Sequence, residues 1–200
     1  MAWEVFDVEK QFAFYGAYHR NSINFLIHTI IAWPVFFSFL LLTAFIPALG
    51  LLPFPPGTFP FQEYMILNLS FVVAVVYAFV YIMLDKKAGT LAGALCLLCW
   101  VGSNALAQSL GFSLAWKVVL VSELIFVTPA VIGHGVFEKR TAVVLDNLIE
   151  VFVMEQFFVL LEVLQNFFGY EPYPGFQKAV QARVQADIKE WTVKKQEKSA

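Results

Sequence analysis

The stretch FLIHTIIAWPVFFSFLLLTAFI, residues 25–46, contains no charged side chain. A helix needs about 20 predominantly apolar residues to cross the hydrocarbon core of a bilayer. The wider region of residues 21–62 is equally free of Asp, Glu, Lys and Arg. This stretch therefore predicts a membrane-spanning helix, with Pro34 inside it, and it decides the class of the whole chain.

The composition of the chain indicates the same class. Of its 200 residues, 60% are hydrophobic and 14% are charged, and the mean hydropathy is +0.70. Soluble domains carry about 25% charged residues. The net charge of −2 and the lack of a basic run interleaved with aromatic residues argue against a nucleic-acid partner. Acidic residues and the lack of an apolar core in the first 20 positions argue against a cleavable signal peptide.

Three further apolar segments have the length of a spanning helix. They cover residues 64–84, residues 88–116 with an end near Asn104–Gly111, and residues 117–137. The segment LLPFPPGTFPF, residues 51–61, separates the first two spans with four prolines and a glycine, which end a helix. The sequence thus predicts an all-α, polytopic membrane bundle of about four transmembrane helices.

The region after these spans is apolar but also acidic. Residues 143–168 carry Asp146, Glu150, Glu155 and Glu162. Each acid at the centre of a bilayer costs roughly 3 kcal/mol on insertion scales. We therefore predict a helix at the membrane interface or against the bundle, and a fifth span remains the alternative. We assign residues 1–170 to the membrane domain.

Residues 171–200 form a predicted amphipathic cytoplasmic tail. Its apolar stripe has helical spacing and consists of Phe176, Val180, Val184, Ile188 and Trp191. Such a stripe is typical of a helix on a membrane surface, although a solvated tail is an alternative. Basic residues before the first span, between spans two and three and after span four place both ends of the chain in the cytoplasm. Lys117 alone departs from that pattern.

Cys96 and Cys99 form a CxxC motif within LCLLCW, residues 95–100. A zinc or redox site needs polar surroundings or a second cysteine pair, and the sequence has neither. We interpret the two cysteines as small wall residues of a membrane helix.

The chain has three histidines, His19, His28 and His134, and the predicted topology places all three near one membrane face. Tyr15 precedes His19 by four residues and Asn24 precedes His28 by four, a spacing at which side chains face each other on a helix. A helix break at Asn21-Ser22 would let both imidazoles point at one centre, because Asn and Ser both favour helix caps.

A similar pair closes the last span, where His134 and Glu138 are four residues apart and Gly133 and Gly135 flank the histidine. Imidazole binds iron, zinc and copper well, and Asn24 or a carboxylate such as Glu138 would fix the imidazole tautomers. The three histidines thus indicate a mononuclear metal site. The alternative is a non-catalytic lipid-binding or lipid-organising protein whose histidines bond only to headgroups or backbone.

The order of these motifs, FYGAYHRNSINFLIH at residues 14–28 and then GHGVFEKR, LDNL and FFVLLE, resembles the membrane family of 2-hydroxy-fatty-acid dioxygenases of the endoplasmic reticulum. The resemblance covers residues 12–165. It implies a multi-pass enzyme of that membrane, with its site facing the cytoplasm. Its activity would be Fe²⁺-dependent shortening of a 2-hydroxy long-chain fatty acid by one carbon with dioxygen, in fatty-acid alpha-oxidation and sphingoid-base degradation.

The resemblance also implies roles for residues. His19, His28 and His134 would bind the iron, and Asn24 and Glu138 would support them. Glu162 also falls on a position that the family pattern makes acidic. Lys139 and Arg140 would attract the substrate carboxylate, although bases at a helix exit are also ordinary topology signals.

The chain departs from the family pattern near these motifs. It has Ala130 where the pattern has glutamine, Thr141-Ala142-Val143 where it has Arg-Pro-Ala, and Pro34 one residue late. These departures spare the histidines and bear on substrate choice more than on metal binding.

Overall fold

The computed structural model describes residues 6–48, 55–138 and 150–199, without the side chains of residues 150, 151 and 194–199. All extended regular elements in these ranges are helical, which confirms the predicted all-α class. The α-helices are α1 (Val8–Tyr18), α2 (Ser22–Thr43), α3 (Leu69–Leu84), α4 (Lys86–Leu110), α5 (Phe112–Gly133), α6 (Glu155–Phe168) and α7 (Phe176–Ser199). Two π-helical turns, His134–Glu138 and Glu150–Met154, follow α5 and precede α6.

Three helices of the described residues are long and apolar enough to cross a membrane: α2, α4, and α5 with its π-helical turn. These helices indicate membrane association. The second predicted span, residues 64–84, is helical only from Leu69, because Asn68 caps α3 by accepting a hydrogen bond from the amide of Phe71. The 16 residues of α3 span about 24 Å, against a hydrocarbon core of about 30 Å.

The third predicted span ends at Leu110, within the predicted stretch Asn104–Gly111. Gly111 has a positive φ of 65° and its amide bonds the carbonyl of Ala107, which ends α4. The start predicted at Lys117 is wrong, because α5 begins directly after the glycine, at Phe112. One residue in a left-handed conformation is enough to redirect the chain, so no loop separates the two helices.

Asp85 separates α3 from α4 and ends the second predicted span as expected. Its carboxylate accepts a hydrogen bond from the amide of Ala88 at 2.6 Å and so caps α4. Behind it, a Cβ atom at Gly89 would lie 2.0 Å from the carbonyl oxygen of Tyr81. Glycine is therefore required where the two helices approach each other. Cys96 and Cys99 are free thiols on α4, and Cys96 is buried.

The chain divides into two compact units. The terminal unit consists of Met1–Thr29 with Val131–Ala200, and the central unit consists of Ile30–Ala130. The boundary predicted between residues 170 and 171 stays a prediction.

Within the terminal unit, α7 packs on α1. Phe176 and Val180, the first two residues of the tail stripe, are buried, and Val184 packs against Ala17 and Tyr18. The first half of the stripe that we interpreted as a membrane-facing surface therefore contacts α1.

The central unit contains a hydrogen-bonded group that we call the asparagine cluster: the side chains of Asn68, Ser70 and Asn104, with the backbone carbonyl of Trp100. Glu123, the one acid of the predicted fourth span, is also partnered, since it accepts a hydrogen bond from the Ser38 hydroxyl. A partnered carboxylate is far less costly in an apolar helix than a free one.

Candidate metal centre

The helix breaks between α1 and α2 at the site predicted from the sequence. His19 follows the last residue of α1, and the Asn21 side chain accepts a hydrogen bond from the amide of Ile23 at 2.9 Å. This Asn cap starts α2. As a result, the ring centroids of His19 and His28 lie 4.4 Å apart.

His134 completes a group of three imidazoles. It is the first residue of the π-helical turn after α5, and its ring centroid lies 4.9 Å from those of both His19 and His28. One ring nitrogen from each histidine lies within 4.8 Å of the other two. His19, His28 and His134 are only 8%, 3% and 5% exposed, respectively. Three distant positions of the sequence thus meet in one buried group.

One nitrogen of each ring is held by the protein. Nδ1 of His19 donates to the carbonyl of Tyr15 at 3.0 Å, and the Tyr15 ring stacks on the imidazole at 4.1 Å. Nδ1 of His28 hydrogen-bonds the Glu155 carboxylate. The carbonyl of Tyr18 bonds the His134 ring. Each imidazole is therefore fixed in orientation.

The remaining nitrogens have no hydrogen-bond partner among the described residues: Nε2 of His19, Nε2 of His28 and Nδ1 of His134. A buried polar atom without a partner costs about 1–3 kcal/mol. Three such nitrogens lie within one group, and neutral imidazole is the commonest protein ligand of first-row transition metals. The donor set fits a mononuclear metal ion.

The electrostatics of the group also favour a metal over protons. Burial lowers the pKa of His19 well below 6.5, and the neighbouring His28 and His134 lower it further. His19 is therefore neutral at pH 7. A neutral imidazole has the free lone pair that metal binding requires.

Asn24 and Glu138 lie beside the group and do not bond its rings in the described contacts. The Glu138 carboxylate accepts hydrogen bonds from the amide of Asn21 at 2.8 Å and from the Asn24 side chain at 3.3 Å. Asn24 also donates to the carbonyl of Tyr18 at 3.3 Å, the same carbonyl that bonds His134. The two side chains thus join the π-helical turn to the start of α2.

Gly133 makes this junction sterically possible. A Cβ atom at this position would lie 2.5 Å from Oδ1 of Asn24. A Cβ atom at Gly135, on the other side of His134, would meet nothing within 4 Å. Only the first of the two glycines is required by packing.

Glu155 is the functional candidate that sequence reasoning did not single out. In the sequence it is one of four acids in an apolar segment. The one signal that could have identified it is the energetic cost of burying a carboxylate, which predicts that the carboxylate has a partner. Glu162, seven residues later, lies near the Tyr15 hydroxyl. Burial raises the pKa of Glu162 to about 7, and the Tyr15 hydroxyl partly offsets this effect.

The remaining residues that the sequence analysis named near the site lie outside the described residues or in α5. Lys139 and Arg140 lie outside the described residues, as do Thr141–Val143 and Asp146. Ala130 lies in α5.

The chain is similar to proteins of one known family. A model of the Mpo1-like family, described as 2-hydroxy-palmitic acid dioxygenase Mpo1-like, matches residues 5–167. The 2-hydroxy-palmitic acid dioxygenase MPO1 of Saccharomyces cerevisiae is 28% identical over 192 residues, which cover 91% of this chain and 90% of the yeast protein. No solved structure matches the chain. The matched residues include the three histidines, Glu138, Glu155 and Glu162.

Proposed function

The chain belongs to the Mpo1-like family, and we propose that it is an Fe²⁺-dependent dioxygenase that shortens 2-hydroxy fatty acids by one carbon. The observation that carries this proposal is the group of three buried imidazoles, each fixed through one nitrogen and unpartnered at the other. The name of the yeast relative supplies the substrate class.

The proposed reaction balances without a further reductant. A 2-hydroxy acid and dioxygen give the acid that is one carbon shorter, carbon dioxide and water. The bond between the carboxyl carbon and the hydroxyl-bearing carbon breaks, and the hydroxyl-bearing carbon becomes the new carboxyl carbon. All the electrons that dioxygen accepts come from the substrate, so the protein needs no site for an electron donor.

The chain's own residues would prepare the site for this chemistry. His19, His28 and His134 would hold Fe²⁺, which on binding supplies a redox-active centre that brings dioxygen and the hydroxy acid together. The Tyr15 and Tyr18 carbonyls and the Glu155 carboxylate keep the three rings in place. Burial of the rings excludes bulk water from the reacting atoms.

The apolar helices suit a substrate that enters from a bilayer. His28 lies in the second turn of α2, and His134 directly follows the last residue of α5, so each histidine lies near the end of a candidate span. A fatty acid keeps its carboxylate and 2-hydroxyl at headgroup depth and its chain among apolar side chains. We propose that the site faces the cytoplasm at the endoplasmic reticulum membrane, with Lys139 and Arg140 attracting the carboxylate. Sphingoid-base degradation is the proposed source of the substrate.

The proposal is tested by the metal content and turnover of the detergent-purified protein beside the His134→Ala variant. We expect about one iron per chain after anaerobic addition of Fe²⁺. We also expect oxygen consumption on 2-hydroxypalmitate, with one carbon dioxide released per dioxygen. His134→Ala should lack both. Wild-type protein that binds no metal and is inactive would instead support the lipid-binding alternative, and bound zinc without turnover would exclude the oxygenase chemistry.

A further inference from the structure

The three imidazoles are held by chemically different acceptors. The acceptors for His19 and His134 are neutral backbone carbonyls, whereas the acceptor for His28 is the carboxylate of Glu155. A hydrogen bond to an ionised acceptor is roughly twice as strong as one between neutral groups. The group is therefore electronically asymmetric, and His28 is its most strongly polarised member.

The fold places Glu155 at this position through an unusual backbone feature. Glu155 is the first residue of α6 and directly follows the π-helical turn Glu150–Met154. π-Helical turns are rare and occur frequently at functional sites. The neighbours Met154 and Gln156 are buried, and the Glu155 side chain is only 18% exposed. Its charge is thus poorly screened by solvent.

The other acids near the group have different partners. Glu138 binds the Asn21 amide and the Asn24 side chain, and Glu162 interacts with the Tyr15 hydroxyl. Within the described part of the chain, Glu155 is the acid that hydrogen-bonds an imidazole. Its role differs from theirs for this reason.

We propose that Glu155 is a positioning residue with two effects on the metal centre. It holds His28 in the tautomer whose Nε2 is free for the metal, and its negative charge offsets one positive charge of a divalent ion. This inference rests on the proposed function insofar as the group binds a metal. Its consequence is that Glu155 strengthens metal binding and weakens the binding of a further anion at the loaded centre.

Two substitutions separate the effects. In Glu155→Gln the amide oxygen can accept the same hydrogen bond from Nδ1, so the tautomer is kept and the charge is lost. In Glu155→Leu both are lost. Glu162→Gln is the matched control, because it removes a carboxylate of the same helix that interacts with Tyr15 among the described residues.

The test measures Co²⁺ affinity of the full-length protein by its visible spectrum, and then azide binding to the loaded protein. We expect the Co²⁺ dissociation constant to rise about 10-fold in Glu155→Gln and up to about 100-fold in Glu155→Leu. Azide should bind several-fold more tightly to loaded Glu155→Gln than to loaded wild type, because an anion no longer faces the Glu155 charge. Glu162→Gln should match wild type in both measurements.

The outcomes distinguish this inference from the proposed function. Wild-type protein that binds neither Co²⁺ nor Fe²⁺ overturns both. Wild-type protein that binds Co²⁺, with Glu155→Gln unchanged in both affinities, overturns the charge effect and leaves the proposed function standing. Since Glu155→Leu can fail to fold, its thermal unfolding is measured without metal, and Glu155→Gln then decides the result alone.

Discussion

The asparagine cluster and the histidine group both bury polar side chains in a very apolar chain, but they differ in how these atoms are partnered. Asn68 donates to Oδ1 of Asn104 at 2.6 Å and to the carbonyl of Ala44 at 2.8 Å. Asn104 in turn donates to the carbonyl of Trp100 at 3.0 Å, and the Ser70 hydroxyl donates to Asn68. The side chains of the asparagine cluster thus form their hydrogen bonds with other groups of the protein.

The histidine group leaves one nitrogen of each ring without a partner in the described structure. Because each such atom lowers stability, a sequence selected for stability alone would have supplied partners, as it does for Asn68 and Asn104. Under the proposed function, this difference separates a polar group that stabilises the fold from one that binds a ligand. Substitutions in the histidine group should therefore lower metal binding and turnover, whereas substitutions in the asparagine cluster should lower stability.

The largest expected effect is the loss of function at the histidines. Substituting His19, His28 or His134 by alanine should lower iron affinity and turnover by more than about 100-fold, since losing a ligand exceeds the loss of a supporting contact. In His19→Ala and His134→Ala the free energy of unfolding of the metal-free protein should change by no more than about 1 kcal/mol, because removing an unpartnered nitrogen offsets the loss of the hydrogen bond to a backbone carbonyl. Metal analysis, turnover and chemical denaturation in detergent check this. Strong destabilisation with metal retained would make the group structural.

The reverse result is expected for Asn104→Ala. It should lower the free energy of unfolding by about 1–3 kcal/mol, because the buried Asn68 amide loses Oδ1 of Asn104 as an acceptor. Iron content per folded chain should not change. Gln108→Ala, an exposed position on the same helix that bonds the Glu63 carbonyl, is the control and should change stability by less than about 0.5 kcal/mol. Loss of iron in Asn104→Ala would contradict the division of roles.

Glu162 extends the comparison, because one oxygen of its buried carboxyl has no partner among the described residues. Its pKa is raised from 4.5 to about 7 in the folded state, so the folded protein binds the proton more tightly than the unfolded chain. Protonation of Glu162 therefore stabilises the folded state. This contribution to the free energy of unfolding is fully present below about pH 4.5 and is lost as the pH rises through about 7. Glu162→Gln should remove this pH dependence, which amounts to about 3 kcal/mol.

Denaturation curves of wild type and Glu162→Gln across this pH range measure the effect directly. If the free energy of unfolding falls equally with pH in both proteins, a group other than Glu162 causes the pH dependence.

The smallest expected effect concerns the two glycines beside His134. Gly133→Ala should weaken iron binding about tenfold, because the added Cβ displaces Asn24 from its contacts with Glu138 and the Tyr18 carbonyl. Gly135→Ala is the matched control and should leave binding unchanged, since nothing lies within 4 Å of its Cβ. Equal affinities in the two variants would exclude a supporting role for Asn24.

Much of the helical organisation could be predicted from local patterns. The uncharged run at residues 25–46 lies within α2 apart from its last residues, the Asn21-Ser22 break precedes α2, and Gly111 ends α4. Each of these signals acts through neighbouring residues, by burial of a continuous apolar segment, a cap or a left-handed glycine. The family resemblance of the histidine motifs is confirmed by the match over residues 5–167.

The site was predictable only in part. The three histidines were candidates because few polar residues interrupt an apolar chain, and the structure brings them together. Their roles as ligands stay a prediction, as do those of Asn24 and Glu138. The start of α5 and the partner of the tail stripe were missed, because apolar residues suit both a membrane surface and a neighbouring helix equally well.

Local chemistry was thus enough to establish a helical membrane protein, the ends of most of its helices and a short set of candidate ligands. The tertiary structure alone decided which nitrogen of each imidazole is free, and that Glu155 holds His28 across a separation of 127 positions. It also decided that the tail packs on α1. The physical reason is that periodicity and capping depend on residues a few positions apart, whereas a buried polar atom finds its partner through the packing of distant segments.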